Sequence, residues 1–236
     1  MKKILAFSSI RSDYDLMSPL YMLLHEDKDI DFKIIVSGAH LSHSFGYSVE
    51  QIRKDGFNIL LEIETLLSSD TGLSRVKSAS LLLQNSLETI ARFNPDLMIF
   101  AGDREDVLMY AMIGGYLNIA TIHVFSGDHT EDGYIDNPIR HATSKLSSAH
   151  FVTLKEHKKR LQLRGEKTDI FDNDSSKVEN SKKVSKLKRI EGYNFWKKEL
   201  EKTSSKCLSY KLEEYKVEDL ANEIYKEITK KNEERN

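Results

Sequence analysis

Residues 97–125, LMIFAGDREDVLMYAMIGGYLNIATIHVF, decide the fold. Two short apolar runs, Leu97 to Phe100 and Ala120 to Phe125, bracket a glycine turn and a segment with helical spacing. A strand, a turn, a helix and a second strand of this length make a parallel βαβ unit. The first run is apolar throughout and the second is near-continuously apolar, so each is expected to be covered on both faces. Working outward, strands are predicted at Ile4 to Phe7, Phe32 to Val36, Ile59 to Ile63 and His150 to Thr153. Helices are predicted at Leu16 to Leu24 (Pro19 in its first turn), Val49 to Lys54, Leu73 to Phe93, Glu105 to Leu117, Pro138 to Leu146 and Glu156 to Leu163. On the long helix, Val76, Ala79, Leu82, Leu83, Leu87, Ile90 and Ala91 are expected to share the buried side. The fold class read from this order is α/β: a Rossmann-like parallel sheet with helices on both faces, followed by a charged, mainly helical C-terminal tail.

The 236 residues suffice for one large domain or two small ones. We expect a first domain over residues 1–172 and a tail over 173–236. Nearly half of the tail is Lys, Arg, Asp and Glu. Within it Tyr215, Val217, Leu220, Ala221, Ile224, Tyr225 and Ile228 form a helical stripe that needs an apolar surface, most simply the first domain. A net charge of −2 argues against nucleic acid as a partner. The single Cys207 excludes an internal disulfide framework and fits a reducing compartment. MKKILAFSSI is too brief for a secretory core and no apolar run approaches membrane length, so a cytoplasmic location is expected.

In a parallel sheet ligands gather beyond the carboxyl ends of the strands. Three segments meet that description: SSIRSDYD after the first strand, AGDRED after Phe100 and FSGDHTEDGYIDN after Val124. Arg11 suits a phosphate near a helix N-terminus; alternatively it pairs with Asp13 on the surface. Asp103 is either a reactive carboxylate or the cap of the following helix. Gly114 and Gly115 look like close-packing positions. His123, Asp128, His129, Glu131, Asp132, Asp136 and His141 crowd the third segment, and the spacing of four allows an ordinary Asp136 to Arg140 pair. No HExxH or compact ligand spacing appears, so no metal is expected. Carboxylates crowded at a rim acquire split pKa values, which proton transfer at carbon requires.

The ordered motifs SxRSDYxxxxPL, VSGAHLSxxFGYSVxxIxxDGF, PDLxxxAGDRED, IHxxxGDxTxxGxIDxxIRHAxSKLSxxHFV and LRGE resemble the N-terminal domain of hydrolysing UDP-N-acetylglucosamine 2-epimerases, from about Lys2 to Phe171. The resemblance implies the N-terminal half of a glycosyltransferase-B-like (GT-B-like) fold, with a UDP-sugar in the cleft between two Rossmann-like domains. It implies anti elimination of UDP to a 2-acetamidoglucal, then hydration to N-acetylmannosamine, without metal or redox cofactor. By motif position, Asp103 and Asp136 are the leading catalytic carboxylates and Asp128 a third. His123 and Arg140 shape or polarise the site, and Arg11 meets the phosphates. Arg104, His141, Ser144 and Lys145 complete the substrate-binding set.

Two departures accompany the resemblance. Relatives often carry Glu or His where this chain has Phe125. The family's second domain is not recognisable after Asp172. The expectations are therefore a UDP-sugar 2-epimerase, with a homodimer or a partner completing the cleft as candidate partners, or alternatively an inactive remnant or an interaction protein that keeps the N-terminal domain.

Overall fold

The computed structural model describes residues 1–130, 134–164 and 169–172, together with 221, 222, 224–226, 228 and 229. Glu131 and Asp132, and Tyr215, Val217 and Leu220 of the tail stripe, lie outside the described residues. The elements run β1 (Lys2–Ser8), α1 (Arg11–Glu26), β2 (Ile30–Ser37), two short 3₁₀ turns, α2 (Val49–Lys54), β3 (Ile59–Ile63), α3 (Gly72–Phe93) and β4 (Leu97–Ala101). They continue as α4 (Glu105–Leu117), β5 (Ala120–Val124), α5 (Asp136–Leu146), β6 (Ala149–Val152), α6 (Lys155–Leu163) and β7 (Asp169–Asp172). All seven strands form one parallel sheet in the order β3-β2-β1-β4-β5-β6-β7. The chain turns back between β1 and β4, and that reversal opens a crevice at the carboxyl edge.

Alternation along β1 shows why the strands read as unbroken apolar runs. Ile4 and Ala6 face one core with α1, whereas Leu5 and Phe7 face another with α3 and α4. Each face buries its own aromatic set: Tyr14, Tyr21, Phe32 and Phe57 on the first, Phe7, Phe100 and Tyr110 on the second. Ala221, Ile224 and Ile228 are buried in the first core, and Tyr225 donates to Asp27 Oδ2 at 2.6 Å.

Several local expectations need correction. α1 begins at Arg11, so Arg11 and Asp13 occupy its first turn rather than a loop, and Pro19 lies in the helix interior. Pro19 has no N–H for the Asp15 carbonyl, and the Ser18 hydroxyl donates to that oxygen at 3.4 Å instead. α5 starts two residues before Pro138, which is harmless because N–H groups of a first turn have no intrahelical partner. On α3 the buried line is Ala79, Leu82, Ser86, Ile90 and Phe93, while Val76, Leu87 and Ala91 are exposed. Gly114 is a close-packing site, since a Cβ there would meet Thr121 Cγ2 at 2.4 Å, but Gly115 has open space around it.

Candidate functional site

The turn after β4 and the loop after β5 emerge side by side because β4 and β5 pair in register, Phe100 beside His123 and Ala101 beside Val124. Gly102 takes φ +99°, a conformation open to glycine, and delivers Asp103 to the rim. Asp103 does not cap α4: Arg104 is the N-cap residue and makes no side-chain cap bond. Instead Arg140 Nη2 on α5 donates to Asp103 Oδ2. Arg140 Nη1 stands 3.7 Å from Asp128 Oδ2, so one guanidinium joins carboxylates from two loops. Only 10% of the Arg140 side chain is exposed, and its Nε has no hydrogen-bond partner among the described residues.

Asp128 has a second neighbour that sequence reading missed. His157 Nε2, on α6, lies 3.2 Å from Asp128 Oδ1, and His157 Nδ1 meets the Thr153 hydroxyl at 3.1 Å. The backbone N–H of His129 adds a bond of 2.7 Å to the same carboxylate. Burial raises the pKa of Asp128, but the His157 bond and the Arg140 charge outweigh it and hold the carboxyl below its usual range. Asp103 moves the other way. Burial pushes its pKa up, the Arg140 charge opposes this, and the nearby Asp136 and Asp128 charges reinforce it. Two neighbouring carboxylates with pKa values driven apart are suited to different roles in proton transfer.

Asp136 does not pair with Arg140. Its Oδ1 accepts from Arg75 Nη2 of α3 at 3.1 Å, and Arg75 also grips Glu105 at 2.5 Å and reaches the Tyr134 hydroxyl at 3.2 Å. Neither Arg75 nor Glu105 stood out in the sequence; the charged pair of GDRED, followed by a helix start, was the signal for Glu105. Asn137, in the first turn of α5, donates to Thr130 O at 2.6 Å and accepts from Thr130 N at 3.0 Å.

His123 is fully buried beneath this rim. Its Nε2 bonds the Gly102 carbonyl at 2.8 Å, and its Nδ1 bonds the Ser144 hydroxyl at 3.0 Å. A carbonyl only accepts, so Nε2 carries the hydrogen and Nδ1 is left as an acceptor beside the Ser144 hydroxyl, whose single hydrogen also lies within reach of the Arg140 carbonyl at 3.0 Å. Burial lowers the His123 pKa to about 3, and both ring nitrogens are engaged. His123 thus holds the Gly102 turn from beneath the rim, and Ser144, likewise buried, lies against it.

The remaining residues spread outward. The Arg11 side chain is 68% exposed and pairs with Asp15, not Asp13, at 3.5 Å. Arg104 is exposed at the start of α4. His141 stacks on His129 with ring centroids 5.5 Å apart. Burial, then the Arg164 charge, lower its pKa to about 4. Lys145 donates to the Arg164 carbonyl at 3.1 Å, at the C-terminus of α6, which is the place of a helix-capping cation. Phe125 turns the chain out of β5 at φ +60° and packs on the first core. Among the described residues no group of three His, Cys, Asp or Glu side chains could hold a metal ion. No helix among them is long and apolar enough to cross a membrane.

Comparison with known proteins gives this arrangement a context. The family profile of UDP-N-acetylglucosamine 2-epimerases matches residues 22–207. A hydrolysing UDP-N,N'-diacetylbacillosamine 2-epimerase of Legionella pneumophila is 35% identical over 171 residues, covering 72% of this chain and 45% of that protein. The GDP/UDP-N,N'-diacetylbacillosamine 2-epimerase of Campylobacter jejuni is 36% identical over 172 residues, 72% of this chain and 44% of that one. The crystal structure of the Methanocaldococcus jannaschii UDP-GlcNAc 2-epimerase in complex with UDP-GlcNAc and UDP shares the fold with a TM-score of 0.61 at 23% identity, over 73% of this chain and 46% of that one. The chain thus spans less than half the length of the relatives it matches. Since the profile takes in most of the sequence, including every rim segment from Asp103 to His157, the chain belongs to the UDP-N-acetylglucosamine 2-epimerase family.

Proposed function

We propose that this chain supplies the N-terminal wall of a hydrolysing 2-epimerase site for UDP-N-acetylglucosamine or a related diacetamido UDP-sugar. The observation that carries the reading is the bridge from Asp103 through Arg140 to Asp128, with Asp136 held opposite by Arg75. Elimination across C1 and C2 needs a base for the C2 proton, and hydration of the resulting glucal needs a proton returned there. Asp103, whose pKa burial raises, is matched to exchange that proton. Asp128, held ionised beside Arg140 and His157, contributes fixed negative charge toward an electron-poor C1. Asp136 is the second proton-transfer group. Arg11 and Arg104, both exposed at helix starts, are the cations available to a diphosphate, and His141 contacts the sugar side.

Residues 1–172 form one wall of the cleft, and turnover requires a second. Half a cleft leaves a nucleotide sugar in water and provides half of the orienting contacts. We further propose that residues 1–172 form one domain, with the helix at 221–229 returning to it, and that the protein is cytoplasmic.

The test is proton NMR of the folded protein with UDP-GlcNAc, alone and with added full-length relative carrying a disabled first domain. Release of UDP and an N-acetylmannosamine-type sugar is expected, and Asp103→Asn should lower turnover by about 10²–10⁴ in a chain that remains folded. A folded mixture that leaves the UDP-sugar intact, or an Asp103→Asn variant that turns over normally, would sink the reading.

A further inference from the structure

Every rim carboxylate but one has firm support among the described residues. Asp103 and Asp128 share Arg140, and Asp136 and Glu105 share Arg75. Asp106, in the first turn of α4, takes the Ser9 hydroxyl and accepts from the Val107 N–H at 3.1 Å. Asp13 has no ion pair, and its side-chain hydrogen bond comes from Ser12 at a long 3.4 Å. It stands in the first turn of α1, just beyond the carboxyl end of β1. Its Oδ2 is 3.6 Å from where a Cβ on Gly102 would stand, so it leans on the turn that carries Asp103.

The surroundings disfavour a charge at this point. Asp106 and Asp103 bring negative charge from α4 and the β4–α4 turn, and Arg104 is the opposing cation. On its own helix Arg11 is occupied by Asp15, Glu105 is turned to Arg75, and Tyr21 beneath is neutral. The N-terminus of α1 favours an anion, but that favour is equally open to a ligand phosphate. We propose that Asp13 stands in the site as an uncharged carboxylic acid and donates a hydrogen bond to the anionic diphosphate of a bound nucleotide sugar, so that binding requires a proton on the protein. This rests on the site being one for UDP-sugars. In support, burial first, then the Asp106 charge, push the Asp13 pKa up to about 7. A carboxylic acid kept neutral by its surroundings can donate where a carboxylate would repel.

Two measurements on the full chain test this. In carbon-13 NMR of the side-chain carboxyls, the signal that Asp13→Asn removes should titrate near neutrality. Titration in the ordinary range around 4 overturns the proposal whatever the ligand does. In calorimetry with UDP-GlcNAc, whose diphosphate diester does not itself titrate over this range, affinity should fall by roughly an order of magnitude from pH 6.5 to 8.5. Buffers of different ionisation enthalpy should report proton uptake at the upper end, and Asp13→Asn should bind with neither effect. Binding that is equally tight at both pH values overturns the role of Asp13 and leaves the UDP-sugar reading intact. No binding at either pH, with Asp13 titrating near neutrality, overturns both together.

Discussion

Among the described residues an arginine is set between two carboxylates at Arg53, Arg75 and Arg140, and the first and last of these have different consequences. Arg53 on α2 joins Glu50 at 2.6 Å and Glu62 at 2.7 Å, with 40% of its side chain exposed. Arg140 joins Asp103 and Asp128 with 10% of its side chain exposed. Around Arg53 water screens each charge, and the cluster ties α2 to β3 without altering chemistry. Around Arg140 the charges are held where water is scarce, so each sets the protonation of its neighbours. The charges are of the same kind; burial decides how strongly each sets the protonation of its neighbours.

The comparison is broken most forcefully at Arg140. Arg140→Met leaves Asp103 and Asp128 without their shared counter-charge, and we expect a loss of about 3 kcal/mol in urea unfolding along with any turnover. A stability change under about 1 kcal/mol would mean that the pair is as well solvated as the surface one.

A smaller effect is expected from the buried histidines. Burial lowers His40 to about 4, His123 to about 3 and His150 to about 4. Their folded values lie below the unfolded 6.5, so the unfolded chain binds more protons as pH falls from 6.5 toward 4. Stability is full above 6.5 and drops below it, by up to about 1.4 kcal/mol per pH unit for each histidine. Asp13, raised by burial, acts in the opposite sense over much the same window and offsets one of the three. Urea midpoints at pH 7.5, 6.0 and 5.0 check this; a midpoint that rises on acidification contradicts it. The smallest effect belongs to Arg53→Ala, at about 0.5 kcal/mol or less and fading with salt; a salt-independent loss of several times that size would erase the contrast drawn above.

The parallel sheet was legible because strands covered on both faces leave long apolar runs, and Val49–Lys54 and Ile59–Ile63 were bounded as found. The start of α1 was not, because RSDYD carries no apolar periodicity although its acidic first turn suits a helix N-terminus. Asp103, Asp128 and Arg140 could be singled out from their motifs, but their pairing could not. Arg75 reaches Asp136 across 61 residues of chain, and His157 reaches Asp128 from the next helix but one strand away. His123 looked chemical because it stands among carboxylates in sequence; its position on β5 puts it under them in space.

Gly127 gives the loop after β5 its final constraint. At φ +74° it brings its backbone against α6, where a Cβ would meet the His157 carbonyl at 2.6 Å and Leu161 Cγ at 2.9 Å. Its own carbonyl accepts from Arg160 on that helix. Asp128, next in the chain, is thereby riveted to the helix that supplies its histidine. The carboxylate and the imidazole cannot be retuned independently by drift at this position, since any larger residue would pry helix and loop apart at once.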